Sequence, residues 1–135
     1  MPIEDRGEIK KLLEESRVIA VVGHSDKAYR TSYSIAQYLR AAGYKVYAVN
    51  PTIDSVNGEP AYPDLAAVPE PIDIVDVFRR SEYLDKVVDE AIAVKAKAVW
   101  AQLGVIDDAA AKKAEAAGLK MVMDRCLKVD HAALI

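Results

Sequence analysis

Val18-Ile19-Ala20-Val21-Val22 is an unbroken apolar run that ends in Gly23 and opens into the polar stretch His24 to Arg30. A run this short and this apolar, stopped by a glycine, reads as a strand buried on both faces. That narrows the fold at once, because a strand with two dry faces needs a covering layer on each side. The loop after such a strand lies at its carboxyl end, where α/β sheets bind ligands. Lys27 and Arg30 sit in that loop, and Thr31-Ser32 can cap a helix behind it. The stretch therefore predicts a strand feeding a phosphate-binding loop.

The rest of the chain repeats the alternation. Residues 4–15 place Ile9, Leu12 and Leu13 on one face of an amphipathic helix laid across the outside of the domain. Arg17 to Val22 is the first strand, and Ser32 to Ala42 is a helix closed by Gly43. Lys45 to Val49 is a second strand, parallel to the first through a βαβ crossover. Residues 52–63 are rich in turn formers, with a very short edge strand expected near Ala61-Tyr62 and a helical turn capped by Asp64 after it. Strands follow at Ile72 to Val77, Ala98 to Ala101 and Leu119 to Met123. Helices fill the gaps: one capped by Ser81, one opened by Asp107-Asp108 and closed by Gly118, and a last one over 127–134. The expected architecture is a single α/β domain over residues 1–135, with a Rossmann-like, doubly wound parallel sheet in three layers. Residues 1–16 pack on it as a helix, and the first strand lies near the middle.

With 135 residues the chain is large enough to bury a real core. A net charge of −3 argues against bulk attraction to nucleic acid or to an anionic membrane. Cys126 is the single cysteine, so no intramolecular disulfide is possible, and no Cys/His spacing suits zinc. No metal site is expected. No apolar run is long enough to span a membrane, and the charged N-terminus lacks the apolar centre of a signal peptide. The expected location is the cytoplasm.

In a parallel sheet the carboxyl ends share one side, so distant segments converge there. Gly23 to Tyr33, Asn50-Pro51, Val77 to Arg80, Gln102 to Gly104 and Asp124 to Cys126 all belong to that rim. Lys27, Arg30, Arg79, Arg80 and Arg125 make it locally basic although the chain is acidic overall. Gly23 lets the backbone approach a ligand, and the helix from Ser32 aims free N–H groups and a positive dipole end at the same point. The hydroxyls of Ser25, Thr31 and Ser32 add donors. The ligand expected is a small anion carrying phosphate. A nicotinamide dinucleotide site wants G-x-G-x-x-G and an acid about 20 residues later. This loop has one glycine, and Asn50 stands where the acid belongs. NAD is disfavoured, while NADP stays open because arginines can meet a 2′-phosphate. The Walker A pattern is absent.

Five blocks carry a family resemblance: Val22-Gly23-His24-Ser25, Tyr44 to Pro51, Ile72 to Arg80, Ala98 to Gly104 and Met123-Asp124-Arg125-Cys126. Across residues 14–134 the chain resembles the small stand-alone CoA-binding domain proteins, which are similar to the CoA-binding domain of succinyl-CoA synthetase α chains. The resemblance implies coenzyme A, free or acylated, along the carboxyl edge. The glycine loop (Gly23, His24, Ser25, Lys27, Arg30, Thr31, Ser32, Tyr33) would meet the phosphates. Asn50, Pro51, Val77, Phe78, Arg79 and Arg80 would flank the nucleotide, and Gln102, Gly104 and Arg125 would complete the rim. His24 departs from the family's usual small residue. Val77 and Phe78 offer adenine an apolar wall, and several cations suit a ligand with a diphosphate and a 3′-phosphate.

The synthetase reaction does not carry over, since it needs domains this chain has no room for. A CoA-binding module without chemistry is expected, as a sensor or as the partner of a larger acyl-CoA enzyme. Cys126, beside Arg125 and five residues before His131, is the candidate for a small enzyme acting on CoA thioesters or disulfides. Packing as a small partly buried side chain is its other reading. The N-terminal helix suits a homodimer or ordinary packing equally.

Overall fold

Backbone hydrogen bonds in the computed structural model, which describes residues 1–135, join seven strands into one sheet. These are β1 (Val18–Val22), β2 (Lys45–Val49), β3 (Ser55–Val56), β4 (Glu59–Tyr62), β5 (Ile74–Val77), β6 (Ala98–Ala101) and β7 (Lys120–Val122). They lie in the order β3-β4-β2-β1-β5-β6-β7, with β1 at the centre. Every pairing is parallel except β3 with β4. Leaving β3 aside, the order is that of the dinucleotide-binding fold.

All five residues of β1 are buried, as its composition demands. The pleat sends them alternately to two cores. Ile19 and Val21 join Ile9, Leu12 and Leu13 of α1 (Arg6–Glu15), Ile35 and Leu39 of α2 (Thr31–Ala41) and Leu127 of α5 (Leu127–Leu134). Ala20 and Val22 join Leu84 and Val88 of α3 (Leu84–Ala93) and the alanines of α4 (Asp108–Ala116). The result is the expected helix–sheet–helix sandwich. Trp100 is wholly buried on the first of these faces, and its indole N–H donates to the Arg125 carbonyl at 2.9 Å. Each fully buried Leu, Ile or Val contributes about 1.5–3 kcal/mol. Asp5, Asp64 and Asp107 cap their helical turns through the N–H groups of Glu8, Ala67 and Ala110.

Three local expectations change. The turn-rich segment contains a complete β3–β4 hairpin rather than an edge strand alone. Asn57 and Gly58 both have positive φ, 51° and 83°, as a tight two-residue hairpin turn requires. The strand expected from Ile72 starts at Ile74, because the Asp73 carboxylate instead accepts the N–H groups of Arg17 (2.8 Å) and Val18 (2.9 Å). Burial raises the pKa of Asp73, but these two N–H groups and Lys97 outweigh it and hold the carboxyl below its usual range. Ser81 does not cap a helix through its side chain. Its hydroxyl donates to the Gly104 carbonyl (3.2 Å) and accepts the Ile106 N–H (2.8 Å), tying the loop after β5 to the loop after β6.

Candidate functional site

The centre of the carboxyl edge is the turn from β1 into α2. Gly23 has φ +87°, and a Cβ there would lie 2.4 Å from the Phe78 carbonyl oxygen and 3.1 Å from the Arg79 Cδ. Only glycine fits, and its missing side chain is what lets the segment following β5 and the Arg79 stem lie against the turn.

Ser25 folds back on α2: its N–H donates to Ser32 Oγ at 3.0 Å, while its own hydroxyl accepts the Lys27 N–H. Ser32 is therefore a brace for the loop and not the helix cap expected of it, and Thr31 does not cap the helix either. The residue at the cap position is Arg30, which makes no side-chain cap bond, and the first turn of α2 holds no acidic residue. The first backbone bond of the helix runs from the Ser34 N–H to the Arg30 carbonyl. The N–H groups of Thr31, Ser32 and Tyr33 are thus the ones a helix start leaves without an intrahelical partner. A helix beginning this way, with Lys27 and Arg30 preceding its positive end, has the polarity that complements an anion.

His24 departs most from expectation. A place in the phosphate loop implies a side chain that faces solvent or donates to phosphate, yet this one is wholly buried. Arg40 Nη1 donates to its Nε2 at 3.1 Å, so the ring proton sits on Nδ1 and is donated to the Ser25 carbonyl at 2.7 Å. Burial pushes its pKa down; the hydrogen bond to Ser25 opposes this, the Arg40 charge adds to it, and the value falls to about 4. The ring is neutral at physiological pH and has no free N–H for a ligand. Asn50, at the end of β2, donates from Nδ2 to the His24 carbonyl at 3.0 Å and accepts from Thr52. Tyr33 packs edge-on to His24, and its hydroxyl pairs with Asn57 of the hairpin.

Beside this turn lies an open cleft of ≈ 540 Å³ between the ends of β1, β2 and β4 and helix α3. Val22, Val49, Pro51 and Pro63 give it an apolar floor, and Arg79 and Tyr83 form one wall. The Arg79 guanidinium stacks 4.5 Å from the Tyr83 ring centroid at the cleft, while its Cδ lies against Gly23. The apolar wall expected from Val77 is supplied by these residues instead, because Val77 is wholly buried in the core. Phe78 is half-buried and packs against the opposite core. Arg80 is exposed, with Glu82 at 3.7 Å.

The far side of the rim is already internally satisfied. Arg125 makes a bidentate pair with Asp130, both bonds 2.7 Å, rather than with the neighbouring Asp124. Asp124 accepts the Gly104 N–H at 2.7 Å, which removes that donor from the rim. Gln102 is buried and donates from Nε2 to Asp76 Oδ1 at 2.6 Å. Asp76 carries no signal of its own in the sequence. It is wholly buried on β5, and its Oδ2 has no partner. Burial drives its pKa up to about 7 despite the Gln102 hydrogen bond. Cys126 is half-buried at the start of α5. The hydrogen bond of His131 goes to the Tyr38 hydroxyl at 2.8 Å, and Arg125 is spent on Asp130.

A doubly wound parallel sheet with a glycine turn and a helix start at the end of its central strand defines an α/β domain of the Rossmann type. The chain belongs to the CoA binding domain family, whose model matches residues 17–132. It is 43% identical over 127 residues to the uncharacterized protein YneT of Bacillus subtilis, covering 94% of each chain. It is 29% identical over 121 residues to an ADP-forming acetate–CoA ligase of Archaeoglobus fulgidus, covering 82% of this chain and 18% of the ligase. Among solved structures it resembles a hypothetical protein from Pyrococcus horikoshii OT3 with TM-score 0.94 and 36% identity, over 99% of this chain and 96% of that one. No helix is long and apolar enough to cross a membrane.

Proposed function

We propose that the protein binds coenzyme A or an acyl-CoA along the carboxyl edge of its sheet, as a binding module without chemistry of its own. The observation that carries this reading is the start of α2: N–H groups without an intrahelical partner, no acidic residue in the first turn, and Lys27 and Arg30 in the loop before it. That is the complement of a diphosphate. The neighbouring cleft has the apolar floor and the arginine that an adenine bearing a 3′-phosphate wants, with Pro51 and Arg79 both lining it. Family membership supports CoA as the ligand class.

Cys126 lacks an activating partner, since its basic neighbours are hydrogen-bonded elsewhere. The relation to one part of an acetate–CoA ligase supports a role as the CoA-holding piece of a larger cytoplasmic acyl-CoA assembly. Calorimetric titration with CoA, acetyl-CoA, ADP and NADPH tests the reading. CoA and its thioester bind and compete, ADP binds more weakly, and NADPH does not displace them. Binding of NADPH alone, or no CoA affinity, overturns it.

A further inference from the structure

We propose that Arg40 is a positioning residue for the anion site, acting through His24 on the loop between β1 and α2. This rests on the CoA-binding reading and extends it to a residue that no motif in the loop contains. Arg40 lies in the last turn of α2, at the opposite end from the site. Helical side chains lean toward the helix N-terminus, so its guanidinium reaches back along α2 instead of out into solvent. There Nη1 donates to His24 Nε2 at 3.1 Å and to Gln37 Oε1 at 2.7 Å.

The consequence is tautomeric. A guanidinium donates and never accepts. Facing Arg40, Nε2 must present its lone pair, and the proton is forced onto Nδ1. Only that tautomer can donate to the Ser25 carbonyl, 2.7 Å away. The other would set two lone pairs against each other in a dry site. Arg40 thereby fixes the peptide after Ser25. Asn50 fixes the preceding carbonyl of His24, and Ser32 fixes the Ser25 N–H. The turn that carries Gly23 to the start of α2 is held at successive backbone groups, so its donors are aimed before any ligand arrives and less ordering cost is left to binding.

The groups facing this pair are few. Tyr33 presents its ring edge to His24, with centroids 6.2 Å apart, and Glu59 of β4 and Tyr33 are the groups whose charge acts on Arg40. His24 itself stays neutral across physiological pH. The relay therefore orients and does not switch.

Arg40→Met keeps the aliphatic stem and removes the donor; Arg40→Lys restores a donor and a charge. CoA affinity is measured by calorimetry, thermal stability by unfolding, and the His24 tautomer by long-range proton–nitrogen NMR of the ligand-free protein. The expected result is CoA binding weaker by roughly 10-fold or more in Arg40→Met, with the His24 Nε2 resonance shifting as its hydrogen bond is lost while the Ser25 carbonyl keeps the proton on Nδ1. Arg40→Lys recovers both. Leu13→Ala, remote from the rim, serves as the comparison that lowers stability while keeping affinity. Unchanged CoA affinity in Arg40→Met overturns the proposal, as does an unchanged His24 Nε2 resonance. A wild-type protein that does not bind CoA refutes the function itself and this inference with it. The two failures are distinguishable, because failure of the Arg40 proposal alone leaves wild-type binding intact.

Discussion

Replacing Asp76 by asparagine changes how stability depends on pH, and the size of the change follows from the burial of one carboxyl. Asp76 is wholly buried on β5, takes one hydrogen bond from Gln102, and leaves Oδ2 unpaired. Its pKa stands near 7 in the folded protein against 3.8 for the unperturbed group. The folded state therefore holds this proton more tightly than the unfolded state does. The stability it contributes is complete below about pH 3.8 and is lost progressively as pH rises to about 7, above which the fold carries a buried charge. That difference corresponds to ~4 kcal/mol. The Asp76→Asn side chain keeps an oxygen to accept from Gln102 and cannot ionise. Urea unfolding of both proteins from pH 4 to 8.5 gives the comparison. The variant is expected near parity at pH 4, to gain through pH 5 to 7, and to level off above that at up to ~4 kcal/mol in its favour. A stability difference that stays constant with pH refutes the reasoning, because it means that Asp76 ionises in the folded protein as if exposed.

Gly23→Ala forces a Cβ to within 2.4 Å of the Phe78 carbonyl at a left-handed φ; the conformation alone costs about 1–2 kcal/mol, so a lower Tm and at least a tenfold loss of CoA affinity are expected by unfolding and calorimetry. Arg79→Ala weakens CoA by roughly 1–3 kcal/mol with little effect on stability, whereas Arg125→Ala unpairs the buried Asp130 and acts on stability instead. The reverse pattern removes Arg79 from the site. Leu13→Ala empties a fully buried position on α1 and costs ~2–5 kcal/mol by denaturant unfolding, although α1 precedes the residues matched by the family model. A loss under about 1 kcal/mol means α1 is not part of the cooperative core.

The order of elements is legible in the sequence because periodicity is local. An apolar pentad before glycine, stripes at helical spacing, and Asp64 or Asp107 ahead of a helical turn each state their structure within a few residues. The Asn57-Gly58 signal for a hairpin is equally local but is masked by the other turn formers around it. The rim is legible only as a set of segments. That Lys27, Arg30, Pro51 and Arg79 gather around one turn and one cleft follows from parallel strands. Which rim residues keep their charge or donor free does not follow. Arg125 meets Asp130 across a helix start, Gly104 meets Asp124 from the next strand end, and Gln102 meets Asp76 by register between β5 and β6.

By itself, then, the sequence determined a parallel sheet buried on both faces, a single glycine where β1 turns into α2, and a basic carboxyl edge, since each depends on residues close together in the chain or on the side to which strand ends must point. Tertiary structure decided the protonation and the partners. His24 is neutral because the fold buries it, with Arg40 reaching it from the far end of α2, and Asp76 is nearly neutral because neighbouring strands shut out water. Both outcomes depend on desolvation and on distances between residues far apart in sequence, which a linear pattern does not contain.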